Sequence, residues 1–316
     1  APAAAQEPVA SRRVLLPYAH RPACLPAPGP AATPTATPEV DVCIPLGRDD
    51  YGTLRIVGSV TDRPAGLHPD INLGIRGYAA AQEPLLLWDY HGATDAKAPK
   101  LVGLLGRLPD FSAAYRVNDW KGGCHPVGPP LATPPVTLLG VRSSPGEAIA
   151  VPESGYSIGD GYSVLVLYAS EHRVTLKYTR EDNVVIGYTL HLEPVCVDPA
   201  LAEVYDRMNL QGRANLPALR PRQPFATARG SELRVAIRDS GTFMDPRSRK
   251  DWWPGLAHAP GLDLALGPDH GEPHRDRVSR AAARVRSASP RAGAESASPG
   301  GRAPGTHRGL RPTECR

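Results

Sequence analysis

Two neighbouring segments, GYSVLVLYASEHRVTLKY (residues 161–178) and GYTLHLE (187–193), decide the fold class of this chain. Both are rich in β-branched and aromatic residues, and both contain stretches in which apolar and polar residues alternate. A period of two residues places successive side chains on opposite faces of a strand, so the pattern predicts β-strands rather than helices. Segments of the same kind lie on either side, at VTLLGV (136–141), AIAV (148–151) and ELRVAIRD (232–239).

The first part of the chain shows the same strand signals in shorter runs. These runs are VDVCIPL (40–46), GTLRIVGSV (52–60), DINLGIRGY (70–78), EPLLLWDY (83–90) and FSAAYRVNDW (111–120). They are bounded by Gly, Pro and Asp, and they recur at intervals close to those of a β-sandwich. Residues 98–108 are predicted to form a short helix. We therefore expect a small β-sandwich module over residues 40–121.

A second β module is expected at residues 136–256, after a linker at 122–135. One helix interrupts its strands, because DPALAEVYDRMNLQGR (198–213) carries apolar residues at helical spacing. Asp198 is suited to cap the start of this helix, and Pro199 is suited to its first turn. The predicted fold class is therefore mainly β, with two modules and one inserted helix.

Neither end of the chain has the composition of a packed core. Residues 1–39 are rich in Pro and Thr and are predicted to be a disordered spacer. Residues 257–316 are predicted to be a disordered basic tail, since they carry few aliphatic residues. This tail holds ten arginines and six acidic residues, which accounts for the whole net charge of +4. The remaining residues balance in charge, so the sequence offers no positive field for nucleic acid.

The order of motifs in the second module resembles the β-rich core of the lysostaphin/LytM-type peptidoglycan endopeptidases. The resemblance is carried by SPGEAIAVPESG (144–155), GYTLHLE (187–193), LPALRPRQPFATA (216–228) and ELRVAIRDSGTFMDP (232–246). It implies a peptidase-like module that combines a β-sheet with a barrel-sandwich. In active members of that family, zinc is held by an H-x3-D pair and the second histidine of an H-x-H triplet, and water fills the fourth position.

The residues at the metal positions of this chain are not metal ligands. By alignment to the motifs, the H-x3-D pair falls on Val136 and Gly140, and the H-x-H triplet begins at Glu232 and ends at Arg234. A guanidinium cannot ligate zinc. The resemblance therefore implies a degenerate domain without a metal cofactor and without catalytic residues. The family histidine that assists catalysis is retained as His191, for which the simpler interpretation is a half-buried strand histidine bonded to a neighbour.

Five residues are candidates for ligand binding. His191, Glu232 and Arg234 are expected to line the former cleft, and Glu232 and Arg234 are expected to pair across the space that zinc fills in the family. Arg247 and Trp252 belong to a basic and aromatic segment, MDPRSRKDWW (244–253). Such a segment suits sugars or anionic polymers, although its tryptophans are equally suited to close the core.

The cysteines and the chain ends indicate an exported protein. The sequence begins APAAAQEP, which resembles the product of signal-peptide cleavage, and no apolar run is long enough to span a membrane. Export favours a disulfide. We expect it between Cys43 and Cys124, because these two residues flank the first module.

The leading functional hypothesis is a non-catalytic extracellular or cell-envelope protein that uses the degenerate domain for binding or assembly. Its partners would be cell-wall glycan or peptide, or other envelope proteins. Two alternatives stay open. One is a hydrolase with an unrecognised or rearranged site, and the other is a self-assembling subunit of a surface layer or filament.

Overall fold

The computed structural model describes residues 43–48, 50–123 and 126–256, and most of its regular structure is β. The strands are β1 (Gly52–Arg55), β2 (Tyr78–Ala80), β3 (Phe111–Trp120), β4 (Val127–Pro130), β5 (Leu138–Arg142), β6 (Ala148–Ala150), β7 (Val164–Ala169), β8 (Val174–Lys177), β9 (Tyr188–Glu193), β10 (Val195–Val197), β11 (Asn215–Leu219), β12 (Pro224–Ala228), β13 (Glu232–Asp239) and β14 (Thr242–Met244). The helices are α1 (Pro199–Leu210) and α2 (Arg249–Trp252), with 3-10 turns at Ala65–Leu67, Leu73–Ile75 and Leu101–Gly103. The predicted fold class, mainly β, is confirmed.

Two antiparallel sheets contain all of these strands. The large sheet has the order β1-β11-β7-β8-β9-β13-β5-β3-β2, with β14 paired to β13 and β4 paired to β3. It is open, so β1 and β2 are its two edge strands among the described residues. The small sheet has the order β10-β12-β6.

The described chain is not divided into the two modules predicted at 40–121 and 136–256. β3 from the first range pairs with β5 from the second, and β1 pairs with β11, so both ranges belong to one sheet. The predicted linker at 122–135 contains β4, which pairs with the end of β3. The division into two modules was wrong, because local strand signals do not indicate which strands pair with each other.

The two faces of the large sheet differ in character. On the apolar face, Leu190 and Leu192 of β9 and Val235 of β13 join the main core, which also contains residues of the small sheet and both tryptophans of the α2 region. On the opposite face, which we call the polar face, the same strands carry His191 and Arg234. The alternation of side chains along each strand separates the two sets.

A segment before β2 covers the central part of the polar face. The Thr175 hydroxyl of β8 donates to the carbonyl of Ile71 at 2.7 Å. Asp70 forms ion pairs with Arg238 of β13 and with Arg76. The strand predicted at 70–78 is present only from Tyr78 onwards, and the residues before it cover the sheet instead.

The predicted helix is confirmed as α1. Asp198 caps it by accepting from the backbone N–H of Ala200 at 3.1 Å, and Pro199 occupies its first position. Two other predictions were wrong. Residues 98–108 contain only a 3-10 turn, and residues 83–90 are irregular except for one bridge at Trp88.

The disulfide joins Cys43 to Cys196 of β10, not to Cys124 as predicted. Their Cα atoms lie 5.4 Å apart, although the two residues are 153 positions apart in the chain. A cysteine forms one disulfide, so the pairing with Cys124 was wrong. The folded sheet brings the two sulfurs together, and sequence separation gives no sign of this.

Some predictions concern residues outside the described part of the chain. These are the spacer at 1–39, the tail at 257–316, and the cysteines Cys24, Cys124 and Cys315. Within the described residues, neither helix has the length and apolar character needed to cross a membrane.

Candidate functional site

The candidate site lies on the polar face where β13, β5 and β3 run side by side. Glu232 and Arg234 are two residues apart on β13, so their side chains leave the same face. Glu232 Oε1 and Arg234 Nε are 3.2 Å apart, and each side chain is 23% exposed. The predicted pairing of these two residues is confirmed.

The Glu232 carboxylate is held by two hydroxyl groups of β3. Ser112 Oγ donates to one carboxylate oxygen at 2.5 Å, and Tyr115 Oη donates to the other at 3.0 Å. Burial, followed by the neighbouring Glu232 charge, raises the pKa of Tyr115 to about 12, so its hydroxyl keeps its proton and remains a donor. Glu232 is therefore held in place independently of Arg234.

Gly140 of β5 makes room for this carboxylate. A Cβ atom at this position would lie 2.5 Å from Glu232 Oε2 and 2.6 Å from Ser112 Oγ. Such distances are well inside van der Waals contact. Gly140 is one of the positions where the resemblance implies a metal ligand. The Glu232 carboxylate, from neighbouring β13, occupies the space that a side chain at Gly140 would fill.

Arg234 lies between two carboxylates and two aromatic rings. Its Nη1 is 3.6 Å from Glu193 of β9, and its guanidinium lies over the rings of Tyr78 and Tyr115 at 5.2 and 6.0 Å. Burial lowers the pKa of this guanidinium. Its Nε is buried without a hydrogen-bond partner among the described residues, because the contact with Glu232 lacks hydrogen-bond geometry. The guanidinium is therefore held by charge and ring contacts, and its buried Nε–H is left without an acceptor among the described residues.

Charge balance extends across the sheet to β8. Glu193, which is directly opposite Arg234, also pairs with Arg173. Two arginines and two glutamates therefore alternate from Arg173, which directly precedes β8, to β13, and the set is neutral overall. We call Glu232, Arg234, Glu193 and Arg173, together with Tyr115, the charged row.

His191 lies on the same face but outside the charged row. It is opposite Ala236 and is 3% exposed. Its Nδ1 is 3.0 Å from Thr175 Oγ1. The single hydroxyl proton of Thr175 is donated to Ile71, so Nδ1 must donate its proton to Thr175. Neutral His191 therefore carries the free lone pair on Nε2, which has no partner among the described residues.

A small cavity borders His191. Its lining includes Thr175, Arg173 and Glu193, and its volume is about 10 Å³, enough for one water molecule. Among the described residues, His191 bonds to Thr175, whereas Glu232 and Arg234 pair with each other, so the predicted trio is not one cluster. The interpretation of His191 as a strand histidine bonded to a neighbour fits this geometry better than a ligand contact does.

The buried imidazole makes stability dependent on pH. Burial, followed by the nearby Arg238 charge, lowers the pKa of His191 from 6.5 to about 3. Between these values the unfolded chain binds a proton that the folded chain excludes, so the free energy of unfolding falls as the pH falls from 6.5 towards 3. At about pH 4.5 we expect this group to cost on the order of 3 kcal/mol.

The measurement is urea unfolding of wild type and His191→Gln at pH 7 and pH 4.5. Glutamine is uncharged and keeps a group that can bond to Thr175. The difference in stability between the two proteins should shift by this amount in favour of the variant at the lower pH. If the difference in unfolding free energy between wild type and His191→Gln were the same at both pH values, His191 would take up its proton in the folded state as readily as in the unfolded chain.

The pairing in the charged row predicts unequal effects of single and double substitutions. Arg234→Ala leaves two carboxylates without their common partner, and we expect it to cost about 2 kcal/mol. This is less than for a fully buried pair, because both side chains are about a quarter exposed. Glu232→Ala combined with Arg234→Ala should recover part of the loss. Denaturant unfolding of both single variants and the double variant measures the coupling, and strictly additive losses would contradict it.

Arg247 and Trp252 are enclosed in the apolar core and do not form a binding surface. Their exposed fractions are 1% and 2%. Arg247 forms two hydrogen bonds with Asp245 at 2.8 and 3.0 Å, and Trp252 Nε1 donates to the Asp245 carbonyl. Tyr90 also donates to Asp245. These contacts support the structural interpretation of this segment rather than sugar or polymer binding.

The metal positions implied by the resemblance hold residues of three other kinds. Val136 is 0% exposed within the apolar core, Gly140 has no side chain, and Arg234 carries a positive charge. Within the described residues, no group of three or more His, Cys, Asp or Glu side chains is arranged to hold a metal ion.

Glu193, Ser112 and Arg173 also belong to the site, although none of them was predicted from the sequence. Glu193 lies on β9, Ser112 lies on β3, and Arg173 directly precedes β8, so only strand order and register bring them to the same end of the face. Period-two alternation placed Glu193 on the face of His191, which was the one available signal.

Comparison with known proteins gives no matching family model, no similar curated protein and no similar solved structure. The likeness to lysostaphin/LytM-type endopeptidases therefore remains a hypothesis based on motif order.

Proposed function

We propose that this is an exported, non-catalytic protein of the cell envelope that binds cell-wall peptide or glycan at the charged row. The observation that carries the proposal is the state of Arg234. Its guanidinium lies at a position where the family resemblance requires a zinc ligand, and it is held between Glu232 and Glu193.

The chemistry of the charged row favours uncharged hydrogen-bond acceptors as ligands. The row is neutral overall, so it offers little attraction to a strongly anionic polymer. The Arg234 side chain is 23% exposed, and its guanidinium lies over the rings of Tyr78 and Tyr115, which provide flat apolar surface. Amide carbonyls and sugar hydroxyls satisfy both features.

Catalysis would require a polarising group or an activated nucleophile. The residues at the metal positions supply no ligand set, and the resemblance offers no other catalytic arrangement. The cavity that His191 lines holds about one water molecule, which leaves no space for a substrate there. These features support binding without hydrolysis.

Co-sedimentation with purified peptidoglycan sacculi tests the proposal. Wild type should sediment with sacculi, and Arg234→Gln should bind about tenfold more weakly, a loss on the order of 1.4 kcal/mol. Arg222→Gln is a matched control, because Arg222 is a highly exposed arginine with a carboxylate partner, Glu153. Its binding should be unchanged.

A parallel assay addresses the hydrolase alternative. Sacculi incubated with the protein and added zinc should release no new amino groups. Release of amino groups that stops on addition of a chelator would contradict the proposal, as would the absence of wild-type binding to sacculi.

A further inference from the structure

Residues 65–76, which we call the cover, lie over the central part of the polar face. Ile71 and Leu73 of the cover are buried among apolar side chains of the large sheet. His191 lines a cavity together with Leu73, and it is joined to the cover through the hydroxyl of Thr175. The cover therefore encloses the buried imidazole.

The backbone N–H groups of the cover bond to carbonyls of the cover itself. Ile71 and Asn72 donate to the His68 carbonyl at 3.0 and 2.7 Å, and Arg76 donates to the Leu73 carbonyl at 3.0 Å. These bonds form 3-10 turns and are not part of a β-ladder. A unit of this kind can leave the sheet while the ladder bonds of the strands remain intact.

Side-chain contacts attach the cover to the strands. Asp70 pairs with Arg238 of β13 at 2.9 Å, and the Thr175 hydroxyl of β8 donates to a cover carbonyl at 2.7 Å. The chain on either side of the cover can bend, because residues 62–64 are exposed and Gly77 has a φ of 65°. The cover is thus held by contacts that depend on the charges beneath it.

The groups that face His191 are mostly cationic. They are Lys177 of β8, Arg238 of β13, and Asp70 and Arg76 of the cover, with Arg173 and Glu193 lining the same cavity. Four cations and two carboxylates therefore surround the imidazole. A second proton on the ring would lie on Nε2, which has no acceptor among the described residues. The closed cover therefore requires neutral His191.

We propose that the cover is an acid-sensitive switch, which opens when His191 takes up a proton and closes when His191 releases it. Opening brings the imidazolium into contact with water. It also separates Asp70 from Arg238, so the uncovered part of the polar face carries net positive charge. This inference does not depend on ligand binding at the charged row.

The two states of the imidazole determine the size of the effect. Burial, followed by the Arg238 charge, lowers the pKa of His191 to about 3 in the closed form, whereas a histidine in water has a pKa of about 6.5. The open form binds the proton more readily, so opening is favoured as the pH falls below 6.5. Between pH 7 and pH 5 the opening equilibrium should rise about 10- to 25-fold, the upper value being that of a fully hydrated imidazole.

Two other titratable groups near His191 keep their charge over this interval. Although burial raises it, the pairs with Arg238 and Arg76 hold the pKa of Asp70 below its ordinary range. Burial lowers the pKa of Lys177 to about 8. Asp70 and Lys177 are therefore charged at both pH 7 and pH 5, and the change between these values comes from histidine.

Hydrogen exchange of backbone amides, followed by NMR at low urea concentrations, tests the switch. The amides of Ile71, Asn72 and Arg76 should be less protected than those of β9 and should depend less on urea, because the cover opens while the sheet stays folded. Corrected for intrinsic rates, their exchange should rise about 10- to 25-fold between pH 7 and pH 5 in wild type, and less than about twofold in His191→Gln.

His68→Gln is the matched control, because His68 is a partly buried histidine of the cover itself. This variant should keep the rise between pH 7 and pH 5. The proposal is overturned if the cover amides exchange with the same free energy and urea dependence as those of β9, since the cover then opens only by global unfolding. It is also overturned if wild type shows no rise, if His191→Gln keeps the rise, or if His68→Gln removes it.

Discussion

Replacement of Cys43 by alanine should lower the free energy of unfolding by about 5 kcal/mol, because the bond to Cys196 closes a loop of more than 150 residues. The chain-entropy estimate grows with loop length, so this is the largest effect expected from one residue. The bond also fastens the segment before β1 to the small sheet, where Thr227 donates to the Ile44 carbonyl at 2.7 Å. Guanidinium unfolding under oxidising conditions measures the loss.

Reductant provides the control for this experiment. It should destabilise wild type by a similar amount and leave Cys43→Ala unchanged. Peptide mapping by mass spectrometry should recover Cys43 linked to Cys196. Recovery of Cys43 linked to Cys124, or equal stability with and without reductant, would contradict the observed pairing.

Asp182→Ala should cost about 3–5 kcal/mol, because it leaves a buried arginine without its counter-ion. Asp182 is 1% exposed and Arg213 is 5% exposed. Arg213 donates to both carboxylate oxygens, at 2.9 and 2.6 Å, and the Thr61 N–H donates to one of them at 3.0 Å. This pair joins the hairpin after β8 to the end of α1.

A double variant distinguishes the loss of the ion pair from the cost of leaving Arg213 buried without its counter-ion. Asp182→Ala combined with Arg213→Ala should recover part of the stability, since no buried charge then remains unpaired. Asp62→Ala is the matched control, because Asp62 pairs with Arg63 on the surface and is 66% exposed. It should change stability by less than about 0.5 kcal/mol. A loss in Asp182→Ala no larger than this control would contradict the role of the pair.

The interpretation of Asp182 shows how sequence and structure differ. Its segment, KYTREDN (177–183), has the composition of a solvated turn, and solvated turns are where such residues are usually found. The structure buries Lys177 and Asp182 instead. Burial lowers the pKa of Lys177 to about 8, and its ammonium donates to the Ile186 carbonyl. Composition predicts exposure on average, but it does not register that residues 57–61 and Arg213 bond to this hairpin.

The charged row was predicted in part. Glu232 and Arg234 were placed on one face because alternation along a strand is local, and the ion pair follows from that spacing. His191 was expected to meet them. His191 instead lies opposite Ala236, the next residue of β13 on the same face, whereas Arg234 lies opposite Glu193.

The sequence by itself determined strands β5 to β9 and β13, the helix α1 with its cap at Asp198, and the division of β13 into an apolar and a polar face. These features depend on residues that are neighbours in the chain, whose propensities and periodicity can be read directly. The pairing of β1 with β11 in the large sheet, the disulfide between Cys43 and Cys196, and the Asp182–Arg213 pair were decided by tertiary structure alone. Each joins residues more than 30 positions apart, and their meeting depends on the strand register and packing of the whole chain.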